Sequence, residues 1–142
     1  MIDQITVFLE NKRGRIASLC RTLGDANINM AALSVADTTE YGIVRIICSD
    51  TAAALSALDA GGYRAIKTKV MAIAVPHHPG GAADLLEKLD DLDVDIEYFY
   101  CFSTTDDMAV LALKIADPAS AAEASWAIEK AGFHVFEQSE IE

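Results

Sequence analysis

The segment Glu10-Asn11-Lys12-Arg13-Gly14-Arg15-Ile16 places an amide, three cations and a glycine directly after a short apolar run. Those residue types in that order suit the capture of an anion. Gly14 can adopt φ > 0 and let a ligand approach the backbone. A helix starting there leaves its first N–H groups unpaired and carries partial positive charge, which favours a carboxylate. Lys12, Arg13 and Arg15 add full charges, and the Asn11 amide supplies both a donor and an acceptor, as a zwitterionic ligand requires. The same spacing also suits an ordinary capped turn with solvated cations.

Other chemistries have less support. The chain has no GxSxG, no Walker-type glycine loop, no HExxH and no CxxC, so no nucleophile–base constellation stands out. His77-His78 is the one histidine pair, with no Cys or acidic ligand at a matching spacing. The acidic series Asp90, Asp91, Asp93, Asp95 and Glu97 lacks the glycine-centred loop of calcium-binding helices and is expected to be a solvated rim. No metal and no cofactor is therefore expected. Cys20, Cys48 and Cys101 have no metal-like spacing, and their odd number suits reduced thiols in a cytoplasm, each packed in the interior.

The elements that must position the turn are legible in composition and repetition. At 142 residues and 52% hydrophobic, the chain can build one domain or two small ones. No run approaches the roughly 20 apolar residues of a spanning helix, and the N-terminus does not have the pattern of a signal peptide. The net charge of −11 argues against nucleic acid. That charge is uneven: residues 1–69 hold 8 basic and 7 acidic side chains, whereas residues 70–142 hold 3 basic and 15 acidic.

Sliding the sequence on itself by 66 positions aligns two copies of one unit, with a boundary near Thr68 to Val70. Gly14 falls on Gly80, Leu19 on Leu85 and Leu23 on Leu89. Asn27-Ile28-Asn29-Met30 falls on Asp93-Val94-Asp95-Ile96. In the first copy, Gln4 to Leu9, Ile28 to Ala36, Tyr41 to Cys48 and Tyr63 to Thr68 read as strands. Ile16, Leu19, Cys20 and Leu23 recur at helical spacing, and Asp50 is placed to cap a second helix that Gly61-Gly62 ends. In the second copy the strands are Val70 to Val75, Val94 to Phe102, Met108 to Ile115 and His134 to Gln138. Helices cover Pro79 to Leu92, with Leu85, Leu86, Leu89 and Leu92 inward, and the stretch that Asp117 is placed to cap, with Pro118 in its first turn. Each copy is β-α-β-β-α-β, an α+β ferredoxin-like module with an antiparallel sheet and both helices on one face. Strands that are apolar on both faces lead us to expect the modules side by side and a homodimer.

The run Asn11-x-x-Gly14-x-Ile16, followed by Leu19, Leu23 and Asn27-Ile28-Asn29-Met30, resembles the ACT domain family. His77-His78-Pro79-Gly80 through Val94-Asp95-Ile96 resembles the same family, so nearly the whole chain reads as two ACT modules, 1–69 and 70–142, with no enzyme attached. The resemblance implies a non-catalytic regulatory protein that binds a small amino acid at an interface between ACT domains and signals to a metabolic enzyme or assembly. In the serine-binding ACT domain of phosphoglycerate dehydrogenase, asparagines at the turn and at the next strand's start hold the ligand. Those positions match Asn11 and Asn29, while that family's histidine two residues before the turn asparagine is Leu9 here. By the same match, Arg13, Gly14, Arg15, Ile16 and Met30 complete the first site, and His77, Gly80 and Asp95 are the second-module counterparts. The acidic Asp95 makes the first copy the better anchor for a carboxylate. The nearest alternative is a small subunit like that of acetolactate synthase. An acylphosphatase-like enzyme would use Arg13 or Arg15 with Asn29, but the glycine-rich signature ending in Phe-Arg is missing. A bare dimerisation module is the third.

Overall fold

The computed structural model of the chain describes residues 1–37 and 41–141. In order, it holds β1 (Ile2–Glu10), α1 (Arg15–Asp25), β2 (Met30–Asp37), β3 (Tyr41–Cys48), α2 (Thr51–Ala60) and β4 (Arg64–Pro76). Then come α3 (Gly81–Asp91), β5 (Ile96–Thr104), β6 (Met108–Ile115), α4 (Pro118–Lys130), β7 (His134–Val135) and a 3-10 turn over Gln138–Glu140. The residues group into two compact units, Asp3–Thr68 with Ile141, and Lys69–Glu140 with Met1–Ile2. The connection that the sequence places between the strands Ile28 to Ala36 and Tyr41 to Cys48, Asp37-Thr38-Thr39-Glu40, suits a hairpin, and its residues 38–40 lie outside the described residues.

In the first unit the strand order is β4-β1-β3-β2. β1 runs antiparallel to β3, with Val7 opposite Val44 and Glu10 opposite Tyr41. β2 also runs antiparallel to β3, with Met30 opposite Cys48 and Asp37 opposite Gly42. The two-residue alternation of strands puts Ile5, Val7, Leu9, Val44 and Ile46 on one face. There Leu19 and Leu23 of α1 and Ala54 and Leu58 of α2 close over them as a buried core. In the second unit β4 lies between β6 and β7, and β5 flanks β6. Met71, Ile73, Val75, Leu111 and Leu113 pack there against Leu85 and Leu89 of α3 and Ala121, Ala124 and Ile128 of α4. Both units are thus ferredoxin-like βαββαβ modules, as the repeat predicts.

The 66-residue repeat extends to backbone geometry. Gly14 and Gly80 hold φ of 87° and 92°, and Asn27 and Asp93 hold 60° and 57°. β2 and β5 each open with a register irregularity, between Met30 and Ala32 and between Ile96 and Tyr98. Gln4, Thr6, Val70, Ala72 and Ala112, which alternate with the core residues, are buried as well. A three-member polar ladder satisfies part of that second face: Gln4 Nε2 donates to Thr6 Oγ1 at 3.1 Å, and Thr6 and Thr68 share a hydroxyl hydrogen bond of 3.1 Å.

Several expectations need correction. Tyr63 to Thr68 and Val70 to Val75 are one unbroken strand, β4, because no turn-forming residue separates Arg64 from Val75. α3 begins at Gly81 rather than Pro79, since the left-handed Gly80 cannot belong to a right-handed helix. β7 pairs over two residues with Ile73 and Ala74. The chain then turns where Glu137 N–H donates to Glu140 Oε2 at 2.7 Å. Ile16 and Leu92 fall outside the cores, 45% and 38% exposed. Of the three cysteines only Cys48 is buried; Cys20 is half-buried and Cys101 exposed. Among the described residues, no helix is long and apolar enough to cross a membrane.

Candidate functional site

The turn from β1 into α1 is built by three backbone hydrogen bonds. Lys12 N–H donates to Glu10 O at 2.8 Å, Arg15 N–H to Lys12 O at 3.3 Å and Ser18 N–H to Gly14 O at 3.0 Å. Gly14 is the N-cap residue in the left-handed region, and among the described residues no side chain caps the helix. A Cβ on Gly14 would meet nothing within 4 Å, so the backbone angle, not crowding, demands glycine. The second module repeats the construction: His78 N–H donates to Pro76 O, Gly81 N–H to His78 O and Asp84 N–H to Gly80 O. The other two helices differ. Asp50 caps α2 by accepting from Ala53 N–H at 3.0 Å, and Asp117 caps α4 by accepting from Ala119 and Ser120. Among the described residues, only the first helix of each module starts without a side-chain cap; the turn itself uses the N–H of Arg15 and of Gly81, and the N–H groups that follow them are open to a ligand.

The two open helix starts carry different electrostatics. The first turn of α1 contains no acidic residue, whereas that of α3 contains Asp84, which takes the place of Ser18. Lys12 Nζ sits 2.9 Å from Glu10, and this partner holds the Glu10 carboxyl below its ordinary range by hydrogen bond and charge. The Arg15 guanidinium lies 4.9 Å above the Tyr63 ring. Its buried Nε has no hydrogen-bond partner among the described residues. Tyr63 is held in turn by a 2.6 Å hydrogen bond between its hydroxyl and Ser18 Oγ. Asn11, Arg13, Gly14 and Ile16 are exposed around this turn. Tyr63 is the member that the sequence reading missed; its one signal was an aromatic residue directly after the Gly61-Gly62 helix stop.

The structure gathers Asn11, Arg13, Gly14, Arg15 and Ile16 at one turn, but it places Asn29 and Met30 elsewhere. Asn11 follows Glu10, which pairs with Tyr41 at the start of β3. Asn29 precedes Met30, which pairs with Cys48 at the far end of the same strand. At about 3.3 Å per residue, the two asparagines of one module are roughly 25 Å or more apart along the sheet. In the second module, His77 is tied to the β5–β6 connection: its Nδ1 lies 2.8 Å from Thr105 O, and its N–H donates to Asp107 O at 2.9 Å. Asp95 lies at the opposite end, lining an acidic cavity of about 380 Å³ with Asp90, Asp93 and Asp117. Among the described residues, no group of three or more His, Cys, Asp or Glu could hold a metal ion.

A family model described as an ACT domain pair matches residues 1–137. The chain belongs to the ACT domain pair family. A solved Bacteroides thetaiotaomicron protein is similar to this ACT pair at 30% identity and a TM-score of 0.88, the match covering 98% of this chain and 94% of that one. The regulatory subunit of aspartate kinase from Thermus thermophilus shares the fold at 15% identity and a TM-score of 0.66, with 92% and 91% covered. The corresponding subunit from Thermus flavus does so at 17% and 0.63, with 91% of each chain covered. No sequence match was found among curated proteins. The ACT pair thus has the fold of regulatory subunits, and two open, oppositely biased helix starts within it.

Proposed function

We propose that this ACT pair is a non-catalytic regulatory protein that binds a small amino acid at the β1–α1 turn of its first module. The observation that carries the reading is the uncapped N-terminus of α1, bordered by Arg13 and Arg15 and free of acidic residues in its first turn. The α-carboxylate meets the open N–H groups of the turn around Arg13, Gly14 and Ile16, where helix polarity and the Arg13 and Arg15 guanidinium charges add. Asn11 accepts from the ammonium group or meets the ligand's side chain. The distance between Asn11 and Asn29 within a module means that one small ligand cannot touch both of one copy. A two-fold axis perpendicular to the strands reverses the strand direction of the facing module, and in such a homodimer Asn29 and Met30 of the partner subunit come toward the turn. The second module, with Asp84 and Asp95 at the matching places, favours cations over carboxylates and does not anchor the ligand through His77 and Gly80.

Ligand binding across subunits couples occupancy to assembly, because a ligand that prefers one arrangement shifts its population. The output is an effect on a metabolic enzyme, in keeping with the likeness to regulatory subunits of aspartate kinase. The chain works in the cytoplasm, where its thiols stay reduced, and away from nucleic acid, which a net charge of −11 repels. A melting screen against the twenty common amino acids tests the reading. A cognate ligand at 100 times its dissociation constant should add about 2.7 kcal/mol. No response to any of them would count against amino-acid sensing.

A further inference from the structure

The second module presents an apolar surface that neither its core nor the ligand turn uses. Trp126 is 62% exposed on α4, the most exposed large apolar side chain described. With Leu92, Ala122, Ala127 and the acidic Glu123 it lines an open groove of about 530 Å³. Along α3, a second groove of about 400 Å³ has a floor of Leu86, Val94 and Ile96 and a rim of Glu87 and Asp90. Among the described residues, the charged side chains that line the two grooves are the carboxylates Glu87, Asp90 and Glu123. Lys130, one turn further along α4, stands with Nζ 4.3 Å from the Trp126 ring centroid, so the ring already accepts one cation of its own chain, while among the described residues the carboxylates beside it carry no such partner in the grooves. The sequence around it agrees: residues 70–142 hold 15 acidic against 3 basic side chains.

We propose that these grooves on α3 and α4 form the docking surface for the regulated partner protein, and that the partner presents a basic amphipathic helix. An apolar floor under a carboxylate rim fits leucine-type anchors at helical spacing flanked by Lys or Arg. The same rim disfavours self-association through this face, because two copies would set like charges against each other. The proposal deepens the regulatory reading by assigning its output surface, and it is separable from the ligand turn, which lies in the other module.

The probe is a synthetic peptide of about 18 residues with leucines on one helical face and lysines beside them, against a scrambled peptide of identical composition. Trp126 is the only tryptophan, so its emission reports the groove directly. The expected result is a saturable blue shift with the amphipathic peptide, at least tenfold tighter than with the scrambled one. By calorimetry, Trp126→Ala and Glu123→Lys should each weaken binding tenfold or more, with circular dichroism showing both variants folded. Equal affinity for the two peptides, or full affinity in Trp126→Ala, overturns the proposal. So does a blue shift of Trp126 with rising protein concentration alone, which assigns the face to a second copy. Amino-acid binding measured on Trp126→Ala keeps failure here distinct from failure at the turn.

Discussion

Replacing glycine by alanine at two positions of α1 and its N-cap should move stability in opposite directions. Gly24 lies inside the helix, and a Cβ there would sit 4.0 Å from the Arg21 guanidinium, an ordinary contact. Gly24→Ala therefore gains helix propensity and loses unfolded-state freedom, a stabilisation of about 0.5–1 kcal/mol. Gly14 holds φ of 87° with open space around its missing Cβ. The left-handed backbone alone sets its cost, so Gly14→Ala should destabilise by about 1–2 kcal/mol. The two variants should then differ by roughly 2 kcal/mol, well beyond the uncertainty of a comparison of urea midpoints at constant m. Gly80→Ala should copy Gly14→Ala, since its φ is 92° and its Cβ also meets nothing. Gly81→Ala should be worse than either, because its Cβ would overlap the Pro76 carbonyl. A Gly14→Ala variant as stable as the parent would refute the left-handed turn, and with it the uncapped helix start on which the ligand reading stands.

Other outcomes follow from the same geometry. Leu19→Ala and Leu85→Ala, fully buried and 66 residues apart in the repeat, should each cost about 2–5 kcal/mol in urea unfolding. The Glu140 carboxylate accepts from Glu137 N–H and His134 Nε2, which lowers its pKa. Folding favours its charged form, so that contribution is present above the ordinary carboxylate value of about 4.3 and fades as pH falls through the lower folded value. Glu140→Gln should flatten the acid limb of a melting-temperature profile; an unchanged limb would show that this contact adds nothing. Burial, and secondarily the Asp50 carboxylate, raise the Cys48 thiol above its usual pKa. A brief iodoacetamide pulse read by mass spectrometry should label exposed Cys101 first and Cys48 only on unfolding.

The repeat, the two glycine turns and both Asp caps were legible because each rests on a local rule: a φ that only glycine holds comfortably, or a carboxylate at a helix start. The core positions Leu19, Leu23, Leu85 and Leu89 followed from helical spacing. What spacing could not convey was tertiary. Ile16 and Leu92 sit at helix ends and remain exposed, so periodicity assigned them to cores they do not join. The continuity of β4 was hidden because a repeat boundary invites a break, although no residue there forms a turn. Tyr63 joined the site through its contacts with Arg15 and Ser18, far away in sequence. The separation of Asn11 from Asn29 is a matter of strand direction: β1 and β2 both run antiparallel to β3, so the residue after one and the residue before the other lie at opposite ends of it.

That separation also supplies the most direct test of ligand binding between subunits. Asn11→Ala and Asn29→Ala are prepared singly, then refolded together to form hybrid dimers, and binding of the amino acid found in the melting screen is measured by calorimetry. Each variant alone should show no binding. In a two-fold dimer every hybrid carries one doubly altered and one intact site, so an equal, random mixture should recover about a quarter of the sites at parental affinity. Unrecovered binding in the mixture, or full binding by either variant alone, would contradict a site shared between two copies of the first module.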